Sequence, residues 1–280
     1  PVRLATEMDF RAGPPAQVME RASLVGRLET PRLAAFGIAP GEALTGTVGV
    51  DARLEKRRDG GAEVRVKADL REAGFGDAGL GWHKPPGVAA SGEALLRMQG
   101  ESLRAAEGIR LEAPGLSLRG AARFGADGQL TAAAITDGRF AAGRFTGTLA
   151  APEAAGGPWR LDLHGAALDL SPMLEEAARR AREAAPETRQ PPLSASLRFD
   201  RLILGPGRDL HGVVGTAATD ADGLLRQAEL QGHTGASGQG AFTLQLRPDG
   251  AARHLALRAA DAGGLLDAFD ITRAIGGGRL

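Results

Sequence analysis

Apolar residues at every second position constrain this chain more than any other feature. Leu44, Val48, Val50, Ala52 and Leu54 alternate with Thr45, Thr47, Asp51, Arg53 and Glu55. Val64, Val66 and Ala68 alternate in the same way with Glu63, Arg65, Lys67 and Asp69. A period of two belongs to a strand, whose successive side chains point to opposite faces, so each run has one wet face and one covered face. The two runs predict a hairpin across Asp59-Gly60-Gly61. Asp-Gly recurs at Asp127-Gly128, Asp137-Gly138, Asp222-Gly223 and Asp249-Gly250, each between strand-like runs. The pair suits the positive φ values of tight turns, so it marks antiparallel pairing at all five places.

Later runs keep the pattern: Trp159, Leu161, Leu163; Leu193, Ala195, Leu197, Phe199; Phe242, Leu244, Leu246; Leu255, Leu257, Ala259. The phase slips by one residue between Phe199 and Leu202, as a β-bulge requires. Roughly sixteen strands at about 4.8 Å each would extend a single flat sheet to about 75 Å, so such a sheet must curl, split or close. Two segments read as helix. Ser171-Pro172 offers an N-cap and a first-turn proline before Met173 to Ala185, where Glu175 to Arg179 and Glu176 to Arg180 are spaced i,i+4. Pro186, Pro191 and Pro192 end that helix. A second, shorter one is predicted over 262–275, with Leu265, Leu266, Phe269 and Ile275 on one side. No βαβ alternation appears, which argues against a doubly wound nucleotide-binding fold.

Composition excludes several functions. Lysine plus arginine and aspartate plus glutamate balance at 34 each, so no net charge gathers phosphate backbones, and nucleic acid is not an expected partner. Aromatics make up 4% and tyrosine is absent, which removes stacking platforms. The absence of cysteine rules out disulfides, thiolate metal sites and cysteine nucleophiles. No apolar run approaches the roughly 18 to 20 residues of a membrane span. Pro1 leads almost directly into the strand-like 2–8 and the chain stops at Gly276-Gly277-Gly278-Arg279-Leu280, so both ends read as cuts in a longer protein. Glycine, 41 of 280 residues, is read as coding bias with many tight turns.

Catalytic patterns are weak throughout. His83, His164, His211, His233 and His254 lack any metal-ligand spacing, and no metal or cofactor is expected. The stretch from Gly232 to Gly238 is glycine-rich but lacks a following Lys-Ser/Thr, so it reads as a hairpin. Ser237 misses the spacing of a nucleophile elbow. Asp220 with Asp222 belongs to a turn and Glu175 with Glu176 to a solvated helix face, so neither pair suits glycoside hydrolysis. The basic run Glu55-Lys56-Arg57-Arg58-Asp59 reads first as a wet hairpin tip and second as a contact for lipid headgroups. The expectation is a non-enzymatic protein.

A resemblance enters with Leu80-Gly81-Trp82-His83-Lys84-Pro85-Pro86-Gly87 following Ala68-Asp69-Leu70. It continues through 165–174, where Leu168-Asp169-Leu170 precedes the helix, and ends with 260–269 and Gly276-Gly277-Gly278-Arg279-Leu280. In that order these stretches resemble the AsmA-like family, in particular its YhdP-type branch. The similarity covers about residue 44 to the C-terminus. It implies a long, strongly curved, antiparallel β-groove with one inserted helix and a short C-terminal helix. On that plan 1–170 form the first part of the groove, 171–192 the helical insertion and Pro-rich linker, and 193–280 the continuation. The resemblance further implies a periplasmic segment of an inner-membrane-anchored protein, concerned with lipid transport between membranes and outer-membrane biogenesis. Its partner would be phospholipid or another acyl lipid, and its membrane contact would come from segments outside this chain. The residues expected to line the groove are Leu44, Val48, Val50, Val64, Val66, Phe199, Leu244, Leu246, Leu255 and Leu257. A non-enzymatic assembly scaffold of the envelope is the alternative.

Overall fold

The structure, a computed structural model, describes residues 2–32, 44–77, 79–183, 191–221, 224–250, 252–272, 274 and 277–279. These residues form a mainly β protein, 64% strand, with seventeen strands and two helices. Pairing is mostly antiparallel, one helix is inserted between strands and the other follows the last strand, as the alternation predicted. The chain divides into two compact units, 1–78 with 82–137 and 79–81 with 138–280.

The first unit begins with β1 (Val2–Met8), β2 (Val18–Glu29), β3 (Leu44–Arg57) and β4 (Gly61–Asp69), which pair in sequence as an antiparallel meander. A small excursion follows, β5 (Ala73–Asp77) and β6 (Trp82–Lys84), which pairs with the start of β3. The meander then resumes with β7 (Ser91–Gln99), β8 (Ser102–Ala113) and β9 (Leu116–Phe124), β7 pairing with β4. Next comes β10 (Leu130–Phe140), whose residues up to Asp137 count with this unit.

Register makes this sheet one-sided. Residues directly opposite on neighbouring strands share a face. One row reads Leu4, Leu24, Ala52, Val66, Ala94, and the next reads Ala22, Leu54, Val64, Leu96, Ala106, Ala122. The intervening rows on the other face read Ser23, Arg53, Arg65, Leu95 and Val25, Asp51, Lys67, Glu93, Arg110, Arg119, mostly polar. Ion pairs knit that polar face, with Glu63 bonded to Arg57 at 2.7 Å and also to Arg97, and Glu93 to Arg110 at 3.0 Å.

The second unit contains β11 (Gly143–Ala150), β12 (Trp159–Asp169), helix α1 (Ser171–Glu183), β13 (Leu193–Gly205), β14 (Arg208–Thr219), β15 (Leu225–His233), β16 (Ala241–Asp249), β17 (Ala252–Ala259) and helix α2 (Ala262–Ala268). Its strands also pair in sequence, and its apolar row runs Gly147, Leu163, Leu197, Gly215, Leu230, Leu244, Leu257. The expected, mostly antiparallel pairing has one parallel step, between β12 and β13. The connection carrying α1 returns the chain to the starting end of β12, and such a crossover is what a parallel pair requires.

Four local expectations are corrected. Asp137-Gly138 is not a turn; it lies inside β10, and the reversal falls at Ala141, which takes φ 49°. Asp222-Gly223 lies outside the described residues. The phase slip after Phe199 is not a bulge, since the register against β14 runs unbroken from Phe199 with Val213 to Leu202 with Leu210. Consecutive residues Leu202, Ile203 and Leu204 are all buried, so this strand end is covered on both faces and alternation ceases to report a single covered side. At the start of α1 the accepting side chain is Asp169, which bonds the Ser171 amide at 3.0 Å and the Ser171 hydroxyl. Finally, α2 stops at Ala268, with Asp270 at φ 58° beyond it, so it is shorter than 262–275.

Candidate functional site

The candidate surfaces are the apolar faces of the strands in each unit. On the first, Val50, Ala52, Leu54, Val64, Val66, Ala94 and Leu96 are all half-buried. Its buried cluster is confined to one end, at Leu28, Val48 and Ala73. On the second, Leu163, Leu197, Leu230 and Leu257 are partly buried beside a larger cluster that includes Phe199, Leu210, Val213, Phe242 and Leu265.

Each unit closes one end of its apolar face differently. In the first, Lys84 is only 2% exposed, and its ammonium donates to the carbonyl oxygens of Leu70 (2.6 Å), Arg71 (2.9 Å) and Ala73 (2.5 Å). It also stands 5.7 Å from the centre of the Phe75 ring, which meets Trp82 edge to face at 5.5 Å. Trp82 donates its indole N–H to Pro114 O at 3.0 Å. Burial lowers the Lys84 pKa. In the Gly-Trp-x-Lys-Pro-x-Gly stretch the lysine is therefore a structural peg, a role sequence reading missed because burial of a lysine leaves no mark on periodicity. In the second unit α2 does the closing, capped by Asp261 accepting from the Gly264 amide, with Leu265 fully buried.

The ten predicted lining residues fall on these faces, five in each unit. Leu44, Val50, Val64 and Val66 sit half-buried on the first face, while Val48 is buried in its closed end. Leu244, Leu246 and Leu257 are half-buried on the second, and Leu255 at the edge strand is 57% exposed. Phe199, 2% exposed, packs in the same cluster as Leu265 and is covered by protein. Val48 and Phe199 thus anchor closed ends instead of offering surface. Leu24, Leu96 and Leu230 belong to the same rows, and only cross-strand register reveals them; Leu163, part of an alternating run, joins them.

A cavity of about 510 Å³ lies on the polar side of the second unit, lined by Asp162, His164, Ser196, Arg198, Thr216 and Glu229 among others. Asp162 accepts from the Ser196 hydroxyl and lies 3.3 Å from His164 Nδ1. The Ser196 bond holds the Asp162 carboxyl below its usual range, against the opposing effect of burial, and His164 and Arg198 add to the lowering. The serine proton is directed to the carboxylate and not to the histidine, so the three do not form a nucleophile, base and orienter relay. His211 and His233 face each other as cross-strand partners, but among the described residues no group of three or more potential metal ligands occurs. Nor, among those residues, is any helix long and apolar enough to cross a membrane.

Against family models, curated proteins and solved structures the chain gives no match. The functional reading therefore rests on the faces themselves.

Proposed function

We propose that the chain binds acyl lipid along its apolar sheet faces, as a periplasmic segment of an inner-membrane-anchored envelope protein that carries phospholipid between membranes. The observation that carries this reading is the continuity of half-buried apolar rows that, among the described residues, no helix or second sheet of their own unit covers beyond one closed end. The row from Gly147 to Leu257 crosses seven strands, about 29 Å at about 4.8 Å per strand. A sixteen-carbon chain left in water costs on the order of 13 kcal/mol at about 0.8 per methylene, so a carrier must offer unbroken apolar contact. Contiguous apolar surface of this kind marks an interaction site more often than a free surface.

The test is binding of a fluorescent fatty acid, and of phospholipid by native mass spectrometry, to the purified chain and to charge variants. Val50→Asp, Val66→Asp and Leu244→Glu should each weaken binding, because an unpaired charge on an apolar path costs several kcal/mol. Arg65→Glu, on the polar face, should not. Folded apolar-face variants that bind as well as Arg65→Glu would make the protein an envelope scaffold instead.

A further inference from the structure

Two opposite charges stand at the rim of the first unit's apolar face. Register places Met8, Glu20, Lys56, Ala62 and Met98 in one cross-strand row, immediately beyond the row Thr6, Ala22, Leu54, Val64, Leu96. The two next rows inward carry only alanine, glycine, valine and leucine. Charge thus enters this face at its edge, on two adjacent strands. Glu20 and Lys56 are direct partners across β2 and β3, and both are half-buried. Even so, among the described residues neither enters an ion pair or a side-chain hydrogen bond. The neighbouring partners Arg21 and Glu55, on the opposite face of the same two strands, do pair, at 3.7 Å. Apolar side chains flank the charges: Met8 is 53% exposed, and Phe10, just past the end of β1, is 84% exposed.

We propose that this rim seats the headgroup of a zwitterionic, phosphoethanolamine-type phospholipid, with phosphate at Lys56 and primary ammonium at Glu20. The inference rests on the lipid-binding reading above and names the lipid class that this site takes. Directly opposed residues on neighbouring strands hold their side chains about 5 Å apart, a spacing that a phosphate and an ammonium joined by two carbons can span. The acyl chains continue from the headgroup along Leu54, Val64 and Leu96. A phosphatidylglycerol headgroup answers Lys56 and leaves Glu20 facing an anion. A fatty acid does the same and brings no ammonium. The primary ammonium also supplies N–H donors for a charge-assisted bond to the carboxylate, which a trimethylated amine lacks.

The test is displacement of a bound fluorescent fatty acid from the full chain by short-chain phosphatidylethanolamine and phosphatidylglycerol with identical acyl chains. The wild-type chain should prefer phosphatidylethanolamine by about fivefold, the range of a partly exposed ion pair. Lys56→Gln should weaken binding of both lipids and of the fatty acid while leaving the ratio between the lipids, Lys56→Arg should restore that binding, and Glu20→Gln should abolish the preference. Equal displacement by both lipids, a ratio unchanged in Glu20→Gln, or lipid binding unchanged in Lys56→Gln overturns the headgroup seat while leaving the apolar faces as lipid surfaces. If the fatty acid does not bind the wild-type chain at all, both readings fall together.

Discussion

The two units solve one problem in opposite ways. Each has a run of strands with a wet face and an apolar face, and each must finish the apolar face at one end. The second unit finishes it with hydrocarbon, laying α2 and Leu265 over Phe199, Val213 and Phe242. The first finishes it with a cation, drawing Lys84 inward until three backbone carbonyls surround its ammonium. An aliphatic lid gains from the area it removes from water. A buried ammonium gains little net energy, but it fixes three carbonyls of the turn after β4 in one geometry and penalises every alternative. The first strategy tolerates some rearrangement; the second specifies position.

That contrast can be broken by experiment. Leu265→Ala should cost about 3 kcal/mol, because a fully buried leucine leaves a cavity as well as lost transfer energy. Urea unfolding read by amide exchange in β14 and β17 would measure it, and a loss under about 1 kcal/mol would mean that α2 is not a true lid. Lys84→Met should cost about 2 kcal/mol by stranding the carbonyls of Leu70, Arg71 and Ala73. A neutral result there would assign closure of the first unit to the Phe75 and Trp82 packing alone. Leu174→Glu on α1 should change stability by less than about 0.5 kcal/mol, since no residue of that helix is buried. The smallest effect concerns Asp162. Its carboxyl should titrate below the ordinary 3.8, so the stability it contributes is present above 3.8 and is lost as pH falls through the lowered value. Ser196→Ala should move the titration back up, as read by carboxyl chemical shifts across an acid series.

Much of this architecture was legible from periodicity. Val64, Val66 and their neighbours alternate because one face is covered and the other wet, and the same condition fixes their register. The signal failed where that condition failed. Leu202 to Leu204 are buried on both faces, so their phase shift mimics a bulge. Asp137-Gly138 has turn chemistry but stays extended, with Gly138 and Phe140 buried, while Ala141 accepts the left-handed conformation three residues after Gly138. The Lys84 peg was hidden because its partners are backbone carbonyls, which every residue possesses. The Glu20 and Lys56 partnership was hidden for a different reason: the two lie 36 positions apart, and only the pairing of β2 with β3 brings them together.

The parallel step between β12 and β13 carries a consequence for how the second unit assembles. Its antiparallel neighbours joined by tight turns can zip as hairpins, a microsecond event that needs little search. Strands β12 and β13 must instead meet across the connection from Leu170 to Pro192. Lengthening a closing loop about fivefold raises its entropic cost by about 1.4 kcal/mol, so this contact forms late relative to its neighbours. The unit therefore has a seam: a hairpin on one side, a five-strand meander on the other, and a register between them that no turn dictates. The ten pairings from Trp159 with Leu193 to Asp169 with Ile203 set that register by side-chain fit alone. Errors of folding will collect at this seam, and chain inserted into it will disturb the sheet least.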